Sequence, residues 1–332
     1  MNILVVTNMY PTEKSPFYGI FVKEQVDSLR KEGISVDVFF INGREDRLNY
    51  FRSVIGLLKK LRSNRYDIIH AHHTYCVYPI TIARLITRIK TPVILTFHEG
   101  EVYKRKGVTQ KDVDLIKRLV FSKRIKKFAL KMVDLVITVH EELIKALNFR
   151  GKYQVIPCGV NLELFRPMEK ESCRKTLNLP VEKKIIFFPS DPEDENKGFY
   201  ILRQALKSLD KPNIEVISAG NIDHSDIPIY MNAADIVVQL SEFEASPMVL
   251  KEAMAVNTPV VFTDVGDARA IVGNTRGCYL CSRTPDDVVM KVKDAFKYNG
   301  NSGGRERIIG IGLGLPEIAK ANIRVYEDIL QS

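Results

Sequence analysis

SEFEASPMVLKEAMAVNTPVVFTDVG, residues 241–266, runs from a polar loop through a helical segment into a buried-type strand. Ser246-Pro247 reads as a helix start: serine can accept from the first free amides, and proline at the first helical position loses no needed N–H. The spacing of Val249, Leu250, Ala253 and Met254 predicts a helix from Pro247 to about Val256 with one apolar face. Pro259 to Thr263 follows as a short apolar strand. The free amides near Met248 and Val249 carry partial positive charge and suit an anion such as a pyrophosphate. Glu244 stands just outside that helix end and Glu252 lies along its flank. Carboxylates so placed can accept hydrogen bonds from the hydroxyls of a sugar and a ribose.

Outward from this stretch, strands and helices alternate. Upstream, Ile185 to Phe188 reads as a strand, Gly198 to Leu209 as a helix, and Ile214 to Ser218 as a strand. Ile227 to Ala234 reads as a helix and Asp235 to Leu240 as the strand that delivers Ser241 and Glu244. Downstream come a helix after Asp267, a strand at Cys278 and a helix from Pro285 to Phe296. The first half has the same layout. Ile3 to Val6 is a strand, the loop runs to Gly19, a helix begins at Ile20 and ends at Gly33, and Ser35 to Ile41 is the next strand. Asp67 to Ala71, Pro92 to Phe97, Asp134 to Val139 and Tyr153 to Ile156 follow as strands, with helical segments between. Two doubly wound α/β domains are expected, residues 1–158 and 159–315, with a helix from Pro316 returning to the first. The Pro/Gly punctuation from Ile156 to Pro167 reads as the crossing. Neither a Gly-x-Gly-x-x-Gly nor a Walker lysine motif is present, which removes the main support for dinucleotide or NTPase readings.

The spacing Glu244-x7-Glu252, with Glu252-Ala253-Met254-Ala255 and Thr258-Pro259-Val260-Val261 after it, resembles retaining glycosyltransferases of family 4. These have the two-domain GT-B architecture. The resemblance implies that Glu244 contacts a donor sugar and Glu252 a nucleotide ribose. It extends to the loop of Gly19, where the backbone meets the donor phosphates, and to the linker with Asn161 and Phe165. It covers Thr96-Phe97-His98-Glu99-Gly100-Glu101, which implies that His98 reaches the donor sugar and acceptor region. Glu99 departs from the commoner Gly or Asp. Lys197-Gly198 matches the diphosphate-clamping lysine, but the arginine that usually precedes it is replaced by Ser190 and a run of acids. The resemblance therefore implies a phosphate clamp one cation short.

Net charge is +9 over 332 residues. Eleven basic residues against three acids fall between Glu101 and Lys131. Val113, Ile116, Val120, Phe121, Ile125, Phe128 and Met132 keep helical spacing there, with Lys117, Arg124, Lys127 and Lys131 able to share the opposite flank. A solvated helix face or an anionic membrane surface both fit, at ~1 kcal/mol per basic residue near such a surface. No recognition motif or aromatic platform supports nucleic acid. The five cysteines are odd in number and irregularly spaced, which argues against a disulfide framework. Cys278-Tyr-Leu-Cys281 lacks the second ligand pair that a structural zinc needs. His70, His72 and His73 crowd together, but His72 and His73 would point to opposite faces of a strand, which is poor chelating geometry. No metal and no cofactor beyond the nucleotide-sugar co-substrate is expected. Nothing approaches a membrane span or signal core, so a cytoplasmic protein is expected, peripheral on the inner membrane face if the basic patch is used.

The expected activity is transfer of a sugar from a UDP- or GDP-linked donor to a hydroxyl acceptor, with retained configuration. The acceptor would be a lipid-linked saccharide or polysaccharide precursor. Lys197, Glu244 and His98 would surround the reacting centre, and Gly19, Met248, Val249 and Glu252 would complete the donor site. A nucleotide-sugar epimerase on the same architecture and a non-catalytic nucleotide-sugar binding protein stand as alternatives.

Overall fold

The computed structural model describes residues 1–98, 123–209, 213–220, 222–298 and 300–332. The chain divides into two compact units, Met1–Gly159 with Leu315–Ser332, and Val160–Gly314.

The first unit is built on a parallel six-stranded sheet in the order β2-β1-β3-β4-β5-β6. Its strands are β1 (Asn2–Thr7), β2 (Ser35–Phe40), β3 (Ile68–His72), β4 (Val93–Phe97), β5 (Leu135–Thr138) and β6 (Tyr153–Val155). Ile3 pairs with Val36 on one side and Ile68 on the other, so β1 is a central strand, and Ile3 to Val6 are wholly buried. Strands covered on both faces read as continuous apolar runs, which is why ILVV and VILTF signal them so plainly. The helices are α1 (Ile20–Lys31), α2 (Asn49–Ser63), α3 (Thr74–Thr87), α4 (Lys123–Leu130) and α5 (Glu141–Ala146). Helices α2 and α3 pack side by side, and the Tyr78 hydroxyl donates to the Ile125 carbonyl at 2.8 Å, tying α3 to α4.

The second unit carries a parallel five-stranded sheet, β11-β10-β9-β7-β8. Its strands are β7 (Lys184–Phe188), β8 (Ile214–Ser218), β9 (Ile236–Gln239), β10 (Val260–Thr263) and β11 (Cys278–Cys281). Its helices are α6 (Lys170–Thr176), α7 (Phe199–Lys207), α8 (Ile227–Ala233), α9 (Met248–Ala255), α10 (Ala268–Val272), α11 (Pro285–Lys297) and α12 (Gly304–Gly310). Ile186, Phe188, Val238, Val261 and Val292 join one buried cluster between sheet and helices. The final helix, α13 (Leu315–Gln331), returns to the first unit and packs on α1, burying Ile318, Asn322, Val325 and Tyr326.

Two local expectations are corrected. Helix α9 begins at Met248, with Pro247 in extended conformation as its N-cap and no side-chain cap. The Ser246 hydroxyl donates instead to Asp267 Oδ2 at 2.7 Å and receives the Lys251 ammonium at 2.7 Å. On α4, Phe128 is exposed between exposed Arg124 and Lys131, while Lys126 is buried. The spacing that placed Phe128 inward is therefore wrong at that position, whereas Arg124, Lys127 and Lys131 lie on the solvated side as expected; Lys126 belongs to neither of the two expected stripes. Lys117, Glu99 and Glu101, with the helical spacing of Val113 to Phe121, lie outside the described residues.

Candidate functional site

Parallel strands collect their following loops at one edge of each sheet, and ligands of doubly wound folds gather there. In the second unit those loops hold Ser190 after β7, Ser241 and Glu244 after β9, and Gly266 after β10. Lys197 closes a single turn of 3-10 helix, Glu195–Lys197, immediately before the Gly198 cap of α7.

Two glycines let these loops meet. Gly198 has φ +76°, and a Cβ there would lie 2.4 Å from the Leu240 carbonyl oxygen. Its neighbours lock the approach: Leu240 N–H donates to the Lys197 carbonyl at 3.1 Å and Glu242 N–H to the Asn196 carbonyl at 2.7 Å. Gly266, at φ +58°, would place a Cβ 2.4 Å from the Ala245 carbonyl oxygen, so it backs the loop that carries Glu244. A side chain at either position would meet backbone that cannot turn away.

So held, the Lys197 ammonium lies 2.6 Å from Glu244 Oε1, each side chain about a quarter exposed. The same carboxylate oxygen accepts from the Ser241 hydroxyl at 3.0 Å. Ser241 Oγ in turn accepts from the Gln239 amide at 3.1 Å, and Gln239 Oε1 accepts from the Ser190 hydroxyl at 2.7 Å. Ser190, where an arginine was expected, thus ends a neutral chain that orients Glu244. Met248 and Val249 occupy the first turn of α9, whose amides have no intrahelical acceptor in any α-helix. Glu252 is buried and faces His224, Nε2 to Oε1 3.7 Å, while the His224 ring meets Phe165 edge-on. Sequence reading missed Ser241, Gln239, His224 and Lys251. Of these only Lys251 carried a signal, a charged residue at an inward helical position, and it is wholly buried.

In the first unit, His98 follows β4 and Gly19 caps α1. Gly19 has φ +73°, and a Cβ there would fall 2.2 Å from the Met9 carbonyl carbon, so packing against the loop after β1 already requires glycine. The Phe21 ring, on the second residue of α1, meets the His98 ring edge-on at 4.9 Å. His98 Nε2 lies 3.0 Å from His72 Nδ1, and its Nδ1 lies 3.7 Å from Cys158 Sγ. His70, on the same face of β3 as His72, is bonded by the Tyr326 hydroxyl at 2.7 Å and the Thr96 hydroxyl at 2.6 Å. Burial first, and the neighbouring imidazoles second, hold His72 well below the usual imidazole range; burial, with His98 beside it, brings His70 to about 3. His98 is likewise lowered to about 3, by burial and then by His73. These rings are neutral hydrogen-bonding groups at neutral pH. His73 leaves the strand and caps α3.

Among the described residues no group of three or more His, Cys, Asp and Glu is arranged to hold a metal ion. Burial pushes the Cys278 and Cys281 thiols up to about 12, the behaviour of inert packed side chains. No helix of the described residues is long and apolar enough to cross a membrane.

Residues 5–164 match Glycosyltransferase Family 4 and residues 201–309 match Glycosyl transferases group 1. A Bacillus subtilis (strain 168) protein named as a teichuronic acid biosynthesis glycosyltransferase, TuaC, is 25% identical over 335 residues, covering 82% of this chain and 83% of its own. The D-inositol 3-phosphate glycosyltransferase of Mycobacterium tuberculosis (strain F11) is 25% identical over 236 residues, 60% of this chain and 48% of that one. Among solved structures, sucrose-phosphate synthase from Thermosynechococcus elongatus superposes with TM-score 0.81 at 19% identity over 100% of both chains. Anabaena HepE in complex with UDP and glucose superposes with TM-score 0.73 at 17% identity over 98% of this chain and 99% of that one. These superpositions identify the architecture as GT-B, two Rossmann-like domains.

Proposed function

The chain belongs to the family 4, group 1 glycosyltransferases, and from that premise we propose that it transfers a hexose from a nucleoside diphosphate sugar to a hydroxyl acceptor with retained anomeric configuration. The carrying observation is the Lys197–Glu244 pair, which joins the turn before α7 to the loop that opens α9.

In the transfer, the bond from the sugar C1 to the diphosphate oxygen breaks, and its electron pair stays on the diphosphate. The acceptor oxygen forms the new bond to C1 and gives up its proton to the departing diphosphate oxygen. Charge therefore builds on the leaving group, and fixed donors aimed at it supply the largest share of catalysis. Lys197 has three N–H donors, so it can keep Glu244 and still meet a phosphate oxygen. The first-turn amides of Met248 and Val249 add a helix N-terminus. Glu244 accepts from the donor-sugar hydroxyls through its free oxygen and Glu252 from the ribose. For His98 to bond a sugar, Nε2 must exchange His72 for the ligand; a hydroxyl both donates and accepts, so it can take that place. HepE is described with UDP and glucose and with UDP-glucose, which supports a nucleotide-sugar donor here, UDP- or GDP-linked. No metal is invoked, because Lys197 and the helix amides answer the leaving-group charge directly.

The name of TuaC, from teichuronic acid biosynthesis, favours an acceptor in polysaccharide synthesis; we take that acceptor to be presented on a lipid at the inner face of the membrane. Exposed Arg124 and Lys131 with Lys127 on α4 would face its anionic headgroups. The test is a screen of UDP-, GDP- and ADP-sugars for thermal stabilisation, followed by lipid-linked and soluble acceptors with the best ligand. Glycosylated acceptor is the expected product. Free sugar released with no acceptor dependence would favour an epimerase, and binding without turnover a carrier; either overturns the transfer reading.

A further inference from the structure

His98, assigned to the sugar in the proposed function, is held by a histidine that has no part in the chemistry described so far. Strands β3 and β4 pair in parallel with His72 opposite Thr96. Side chains two apart on a strand share a face, so His72 stands beside the face that Thr96 and then His98 present. The His72 and His98 rings are 15° from parallel with centroids 5.3 Å apart, while His72 Nδ1 lies 3.0 Å from His98 Nε2. Nitrogens this close with centroids this far apart put the rings edge to edge, not face to face. One ring's N–H therefore lies along the other's lone pair.

Both rings are neutral, because burial before all else keeps them below the usual imidazole range. A neutral imidazole has one N–H and one lone pair, so two arrangements are open. In the first, His98 Nε2–H donates to His72 Nδ1. The His72 proton then sits on Nε2, which is buried and has no hydrogen-bond partner among the described residues. In the second, His72 Nδ1–H donates to His98 Nε2, and only a lone pair is left at His72 Nε2. A buried N–H without an acceptor is rarer than an under-used acceptor, which decides for the second. That arrangement also puts the His98 proton on Nδ1, 3.7 Å from Cys158 Sγ, a weak acceptor.

We propose that His72 is a positioning residue that fixes His98 as its Nδ1–H tautomer, so that Nε2 offers a lone pair to whatever takes the place of His72. This rests on the sugar-transfer reading and deepens it. A hydroxyl of the sugar or the acceptor replaces His72 by donating, with no proton shift on the ring. A ligand atom that can only accept, such as a carbonyl or carboxylate oxygen, is turned away.

The chain has six histidines, few enough for two-bond proton–nitrogen correlation spectra of histidine-labelled protein to resolve each ring. His72→Asn and His98→Gln assign the two signals sets. In the wild-type protein at neutral pH, His72 and His98 should both carry their protons on Nδ1. His72→Leu removes the donor, and the share of Nε2–H form at His98 should rise. His72→Asn should restore the wild-type tautomer, because its amide nitrogen stands as many bonds from the backbone as Nδ1 does. Turnover should follow the tautomer: kcat falls about a hundredfold in His72→Leu and stays within about threefold in His72→Asn, with KM for the donor little changed in both. A wild-type His98 protonated on Nε2 overturns the proposal. So does His72→Leu with an unchanged His98 tautomer or wild-type turnover. Failure of the transfer reading looks different: the expected tautomers, with no transfer by the wild-type protein to any acceptor, sink sugar transfer and leave the hold of His72 on His98 in place.

Discussion

The Lys197 ammonium and the Glu244 carboxylate are 2.6 Å apart, joined in one ion pair. The cation assigned to the diphosphate is therefore partly answered by the acid assigned to the sugar. In this site that matters, because Ser190 supplies no second positive charge at the arginine position.

Removing the acid should separate the two tasks. Glu244→Ala should lower transfer by about a hundredfold or more, as loss of a positioned group at a reacting centre does. It should leave affinity for the bare nucleoside diphosphate unchanged or tighter, since Lys197 is released to the phosphates. Calorimetry with the diphosphate beside turnover measurements reads both. Folding stability should move by less than about 1 kcal/mol, because the pair is partly solvated.

Gly198→Ala should be costly for its size. Its φ of +76° and the Leu240 carbonyl 2.4 Å from the added carbon leave no relaxed conformation. A loss of about 2 kcal/mol in urea unfolding is expected. Activity should fall further than stability explains, because Lys197 sits on the displaced turn.

The alternation of strand and helix was legible because both sheets are parallel and covered on both faces, so ILVV, VILTF and IIFF stand out as apolar runs. Helix α2 was not, since its exposed Phe51 and Ile55 blur the polar face that would have revealed the period. Helix α12 hid in a glycine-rich stretch; Gly304 is there because a Cβ would meet the Met254 carbonyl at 2.5 Å. Ser246 looked like a helix cap, and sequence alone could not show that Asp267 and Lys251 compete for its hydroxyl. The partnership of His70 with Tyr326 spans 256 positions, and no local pattern announces it.

Lys251→Met keeps the length of the buried stem and removes the ammonium that donates to Ser246. A loss of about 2 kcal/mol is expected, because the Ser246 hydroxyl oxygen loses the charged donor it accepts from. Because Ser246 immediately precedes α9, donor affinity should weaken as well. Thermal melts with and without nucleotide-sugar measure the two effects, and equal shifts in both would disprove the coupling.

The buried imidazoles make stability depend on pH. His70 ionises near 3 in the folded chain against an ordinary 6.5, and His72 also lies well below that value. Between these limits the unfolded chain binds protons that the folded one cannot. Their contribution is complete above pH 6.5 and is lost as pH falls, at about 1.4 kcal/mol per pH unit for each ring. Urea midpoints should therefore drop from pH 7.5 to 5.5, above the range where most carboxylates titrate. An unchanged midpoint would mean that these rings accept protons in place.

The most direct measurement is a crystal structure of the protein with a non-hydrolysable UDP- or GDP-sugar. The diphosphate should lie against the first turn of α9 within reach of Lys197, with the sugar at Glu244 and the ribose hydroxyls at Glu252. A nucleotide found away from that helix end, touching neither carboxylate, would contradict the account.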